Sequence, residues 1–158
     1  MESAPKRKLS AVVAILLVLI AGLAIAGSVV HKTTNCKEAY RDDTSLKING
    51  QTLKAQIAKT DAQREQGLSG RACIADTQAM LFVFDKPGYY PFWMKDMRFP
   101  IDMVWLSETK QVVWVENNVS PSSYPSNFVS AKPARYVIEL AAGQSQALNL
   151  GTGTLVAF

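Results

Sequence analysis

From Leu9 to Val30 the chain is an unbroken run of apolar and small residues without a single charge, and this constrains it more than any other feature. At about 1.5 Å of rise per residue a helix of that length reaches roughly 33 Å, enough for the hydrocarbon core of a bilayer. Lys6, Arg7 and Lys8 stand immediately before the run, and His31, Lys32 and Lys37 follow it. The tighter cluster comes first, which favours a cytoplasmic N-terminus. The reading is a basic cytoplasmic tail over 1–8, a transmembrane signal-anchor over 9–30, a polar linker over 31–45 and an extracytoplasmic domain over 46–158. A cleaved signal peptide is the rival, since Ala24-Ile25-Ala26 offers small residues at the spacing a peptidase reads. The apolar run is longer than the usual h-region, so the anchor is preferred. Both readings export the domain to the outer face of the cell membrane, and the anchor makes membrane lipid a partner.

Charge then narrows the partners further. Residues 46–158 carry eleven Lys/Arg and nine Asp/Glu, spread without a basic run. A nucleic-acid surface needs clustered cations on one face, so no nucleic-acid partner is expected. Cys36 and Cys73 are the only cysteines and both follow the apolar run. They form either a disulfide or two free thiols; a bond would tie the linker to the domain and contribute about 3–4 kcal/mol on the chain-entropy account.

Strand signals dominate the domain. Leu46-Lys47-Ile48 and Gln51 to Ile57 flank Asn49-Gly50, a two-residue hairpin turn that sets Ile48 against Gln51 and Leu46 against Leu53. Leu46, Ile48, Leu53, Ala55 and Ile57 then share one face. Thr60 to Gly67 reads as a short helix with Thr60 as N-cap and Gly67 as a left-handed close. Met80 to Phe84, Phe92 to Met94, Ile101 to Leu106, Gln111 to Val119, Tyr136 to Leu140 and Thr154 to Phe158 read as strands, and Ala142 to Leu148 as a helical turn. The expected fold is mainly β: a small antiparallel β-sandwich or barrel-like domain with one or two short helices, preceded by one transmembrane helix. Ser120 to Pro133 holds five Ser and three Pro and cannot be a central strand. It is either a functional loop or a plain surface connection.

Several segments occur in a recognisable order: Arg64-Glu65-Gln66-Gly67-Leu68, Met80-Leu81-Phe82-Val83-Phe84, Phe92-Trp93-Met94-Lys95-Asp96 and Pro100-Ile101-Asp102-Met103-Val104. With Tyr136 to Gly143 they resemble the family called domain of unknown function 192, over about residues 50–158. The resemblance implies a compact β-rich fold, often behind an export signal, and no established activity. Some relatives carry Cys in the loop after the strand ending near Val119. Here that loop reads Pro121-Ser122-Ser123, so thiol chemistry does not carry over.

Elimination limits the chemistry. The one histidine, His31, lies outside the domain, so a Ser-His-Asp or Cys-His machine is excluded within one chain. No zinc or calcium spacing and no phosphate loop occurs, and neither a metal nor a cofactor is expected. Two carboxylates stand among apolar neighbours: Asp102, on one face with Val104 and Leu106, and Glu139, on one face with Val137. A buried carboxylate is costly unless paired or protonated, so each is expected to meet a cation among Arg64, Arg71, Lys95 and Arg135. Fold-organising ion pairs are the plainer account. The functional alternative is a ligand pocket built from Trp93, Lys95, Asp102, Glu139 and Arg71. Tyr89, Tyr90, Phe92, Trp93 and Phe99 supply aromatic faces beside Lys95, although such residues more often form core. The preferred function is a binding or accessory module for a small ligand, glycan or envelope partner rather than an enzyme. The alternatives are a carboxylate-dependent hydrolase of envelope glycans using two of Asp96, Asp102, Glu116 and Glu139, or a structural subunit of a membrane complex.

Overall fold

Asn49 and Gly50 both take positive φ, 46° and 83°, as a two-residue hairpin turn that follows strand twist requires. They join β1 (Thr44–Ile48) to β2 (Gln51–Ala58), and the pairs Ile48–Gln51 and Leu46–Leu53 form as the alternation predicts. The structure is a computed structural model that describes residues 36–158. The anchor read over 9–30, the tail over 1–8 and the start of the linker lie outside the described residues. Among the described residues no helix is long and apolar enough to cross a membrane.

Residues 36–45, read from sequence as the end of a free linker, are tied to the domain. Cys36 and Cys73 are bonded, with Cα atoms 5.7 Å apart. The Tyr40 hydroxyl accepts the N–H of Gln56 at 2.8 Å and of Ala79 at 3.2 Å. Asp43 accepts the N–H of Ile57 at 2.8 Å. That bond, with Arg41 beside it, holds its carboxyl below the usual carboxylate range.

The short helix α1 (Asp61–Gln66) starts in a reciprocal cap. The Thr60 hydroxyl accepts the Gln63 N–H at 3.3 Å, and the Gln63 side chain accepts the Thr60 N–H at 3.1 Å. Gly67 closes the helix at φ 47° as expected, but its ψ of −132° lies outside the left-handed helical region. The chain then returns to form β3 (Gln78–Gly88), which runs parallel to β2 in the register Ile57–Leu81. This departs from an all-antiparallel fold. The connection over 59–77 is long enough for the crossover that a parallel pair demands.

The remaining elements are β4 (Ile101–Leu106), β5 (Val112–Val119), β6 (Ala134–Ala141), α2 (Gln144–Ala147) and β7 (Val156–Ala157). All seven strands form one sheet in the order β5-β4-β6-β3-β2-β1-β7. Of the two expected forms, sandwich or barrel-like, the barrel-like one is met in part: a single curled sheet, a half-barrel, with a bridge between Gln111 and Leu155. Buried side chains from every strand, among them Leu46, Leu53, Leu81, Val104, Ile138 and Val156, meet in the concave core. That meeting is possible only because the sheet curls. The opposite face carries Met80, Phe82, Met103, Trp105 and Val137, and is closed over by Leu68, Ile74, Phe92 and Met94.

Phe92 to Met94 is not a full strand. Phe92 makes one bridge, to Phe128, with N–H to O distances of 2.9 and 2.8 Å. The Ser120–Pro133 loop is thus clamped onto the aromatic segment. It also contains a single helical turn at Pro121–Ser123.

Candidate functional site

The register decides where each buried carboxylate points. Glu139 on β6 pairs with Met80 on β3 and with Met103 on β4. Residues paired across strands share a face, so its carboxyl lies between two methionines on the outer, apolar face. Glu139 is only 5 % exposed, and its Oε2 is buried with no hydrogen-bond partner among the described residues. Burial raises the group from its ordinary 4.5 to about 8, so it is protonated at neutral pH.

Above Glu139 opens a cavity of about 350 Å3. Phe82 lies beside the carboxyl at its floor, and Phe84, Tyr90, Phe92 and Trp93 line it. These rings hold one another: Phe84 stacks on Tyr90 with centroids 3.6 Å apart, and Phe82 meets Phe92 edge-on at 4.8 Å. Trp93 remains 38 % exposed at the mouth. Gly67 allows α1 to close the cavity at this depth. A Cβ there would lie 3.3 Å from the Phe82 ring and 3.8 Å from Glu139 Oε2.

Among the described residues no cation pairs with Glu139. Arg64 lines the same cavity, but its guanidinium donates to the Lys59 carbonyl at 2.6 Å, the Val83 carbonyl at 2.9 Å and Asp61 at 2.5 Å. It also lies 5.1 Å from the centre of the Phe84 ring. Local backbone acceptors outcompete a carboxyl that is neutral.

Asp102 is different in kind. It pairs with Leu140, which puts it on the concave side, opposite to Glu139. Its partners are not cations either: it accepts the N–H of Asn118 and of Ser145, each at 2.8 Å, and the Ser145 hydroxyl at 2.6 Å. It is a satisfied structural acceptor.

Lys95 lies in a neighbouring open depression with Asp96 and Arg98. Arg71 lines a third hollow, bonded to the Gln56 side chain, with its guanidinium 5.9 Å from the Tyr40 ring centre. Of the five ligand-site candidates, the structure brings Trp93 and Glu139 together; Lys95, Asp102 and Arg71 are elsewhere. Phe82, Phe84 and Gly67 join the site although sequence reasoning placed them in core and cap. The signal was present in the alternation Met80, Phe82, Phe84, which sets two rings on the Glu139 face.

Paired-carboxylate chemistry finds little footing. None of Asp96, Asp102 and Glu116 lines the cavity with Glu139, and Glu116 accepts the Trp114 indole N–H at 2.8 Å. Among the described residues no group of His, Cys, Asp and Glu could hold a metal ion.

Residues 44–158 match the family DUF192, described as Uncharacterized ACR. A crystal structure of a protein of unknown function from Novosphingobium aromaticivorans DSM 12444 is 23 % identical, with a TM-score of 0.68 over 72 % of this chain and 84 % of that one. A Sinorhizobium meliloti 1021 protein named as a candidate transcription regulator is 30 % identical, with a TM-score of 0.67 over 72 % of this chain and 91 % of that one. No curated protein matches the chain. With well over half of its residues matched, and with a curled β-sheet of the same fold as these structures, the chain belongs to the DUF192 family of uncharacterised proteins.

Proposed function

We propose that this protein is a membrane-anchored, extracytoplasmic binding module that holds a small ligand in the cavity above Glu139. One observation carries the reading: Glu139, a buried acid with one carboxyl oxygen that has no partner among the described residues, lines an aromatic-walled cavity. An unsatisfied buried polar group costs about 1–3 kcal/mol, and a ligand that reaches it supplies the missing hydrogen bond. The cavity lies in the size range of small-molecule sites, and its aromatic walls with a small number of polar groups have the usual character of such sites.

Anchoring and export rest on the uncharged run from Leu9 to Val30 behind Lys6-Arg7-Lys8. The Cys36–Cys73 bond supports them, because structural disulfides persist in oxidising compartments. Acid trapping followed by alkylation of cells expressing the chain is expected to find both thiols blocked. Full alkylation of both would place the domain in a reducing compartment and remove the exported reading.

The binding role is tested on the full chain in detergent micelles with a fragment collection read by ligand-observed NMR. Fragments that enter the cavity are expected to lose about tenfold or more in affinity in Trp93→Ala, since a ring contact at a binding site contributes roughly 1–3 kcal/mol. Fragments that bind the variant as well as the wild type, or none that bind at all, would end the proposal.

A further inference from the structure

The cavity is asymmetric in charge. Apart from Glu139, its charged lining comes from α1: Asp61, Arg64 and Glu65. Arg64 and Asp61 form an ion pair at 2.5 Å and cancel. Glu65 has no ion pair among the described residues; Lys95 and Arg98 stand in the adjoining depression that Glu65 also lines, but within the cavity's own lining what remains uncompensated is acidic. The other titratable group there is Tyr90, whose hydroxyl donates to the Lys86 carbonyl at 2.7 Å. The β3 and β4 neighbours of Glu139, namely Met80, Phe82 and Met103, do not titrate. An anionic ligand would therefore meet Glu65 with no unpaired cation in the cavity's described lining to receive it.

The walls point to the same ligand charge. Aromatic rings carry negative faces and attract cations. Phe84 already does so in this structure, with the Arg64 guanidinium 5.1 Å from its centre. Phe84 is thereby occupied, with Tyr90 stacked on it. Trp93, at the mouth, keeps aromatic surface open to a ligand.

Resting on the binding role above, we infer that the ligand carries a protonated amine on a small apolar body, with its ammonium directed at the Glu139 carboxyl and its body against Trp93. An ammonium has only donors and an ionised carboxylate only acceptors, so the two pair directly in a charge-assisted hydrogen bond. The proton balance follows. Free Glu139 holds its proton at neutral pH, while the bound form is the carboxylate. Binding of an already protonated amine therefore releases one proton to solvent.

The test is calorimetric titration of the full chain in detergent with three probes of matched size: 2-phenylethylamine, 2-phenylethanol and phenylacetate. The amine is expected to bind most tightly, with heats that vary with the buffer because a proton is released. Its affinity is expected to rise roughly 20-fold between about pH 6.5 and 8.5, as the ionised fraction of a group titrating at about 8 grows. Glu139→Gln should weaken the amine at least tenfold and flatten that profile. Equal or tighter binding of the alcohol or the acid, or an amine affinity indifferent to pH and to Glu139→Gln, overturns the amine and leaves the cavity standing as a binding site. Binding of none of the three overturns the amine as well, and the Trp93→Ala comparison then decides whether the binding role falls with it.

Discussion

At pH 8 the Glu139→Gln variant is expected to be more stable than the wild type by about 4 kcal/mol, and at pH 4 the two are expected to be nearly equal. The carboxyl titrates at about 8 in the folded domain and near 4.5 when exposed. The folded state therefore binds the proton more tightly, and acid favours folding at this position. The contribution is fully present below about pH 4.5, is lost as pH rises towards 8, and changes little beyond. Glutamine keeps the shape and polarity of the neutral acid but cannot ionise, so the pH dependence should vanish with it. Asp43, held below the usual carboxylate range by the Ile57 N–H, titrates under this window and does not disturb it. Urea unfolding at pH 4, 6 and 8 measures the effect. A wild type as stable at pH 8 as at pH 5, with no gain in the variant, would show that water or a cation reaches the carboxyl. A residue that destabilises its own fold at neutral pH is the pattern of a site kept for binding.

Asp102→Ala is expected to destabilise the domain by about 3–5 kcal/mol, and Asp102→Asn by roughly half as much. Three donors converge on this buried carboxylate, and two of them have structural tasks. The first is the N–H of Asn118, a non-glycine residue at φ 52°. It sits where the β4–β5 register slips between Ile101–Val119 and Met103–Glu116, so Asp102 faces a bulge with one residue too many. The second is the N–H of Ser145, in the first turn of α2, whose N-cap Gly143 offers no side chain. Asp102 thus caps that helix from another strand. Removing it leaves both N–H groups without their acceptor. Asparagine retains one oxygen but turns an amide N–H2 towards another donor. Chemical denaturation followed by circular dichroism gives the two values. Losses under about 1 kcal/mol in both variants would mean that Asn117, whose side-chain oxygen is 2.5 Å from the Ser145 hydroxyl, takes over the network.

The local elements were open to reading because their causes are local. Asn49-Gly50 specifies its own turn, and alternation then fixes which of Leu46, Ile48, Leu53 and Ala55 face inward. Thr60 and Gly67 bracket α1 because the cap and the closing glycine act within a few residues. The parallel β2–β3 pair escaped because a helix followed by a strand does not state which neighbour the strand will join. Sequence left a sandwich and a barrel-like fold both open for a related reason. Strand count and turn spacing are alike in a sandwich and a curled sheet, and only the meeting of Gln111 with Leu155 distinguishes them.

The candidate site shows the same division. Sequence marked Glu139 and Asp102 as the two acids that need an explanation, because each stands alone among apolar neighbours, and it marked Trp93 within a ring-rich segment. It treated the acids as a pair. The β4–β6 register puts them on opposite faces, since Glu139 pairs with Met103 and Asp102 with Leu140. What the chain's order alone determined was the hairpin, the capped helix, the inward-facing positions and the family, all of which depend on neighbours in sequence or on a residue's own chemistry. What only the tertiary structure decided was which acid found donors and which found none, because that depends on groups brought from distant segments to one face of a curled sheet.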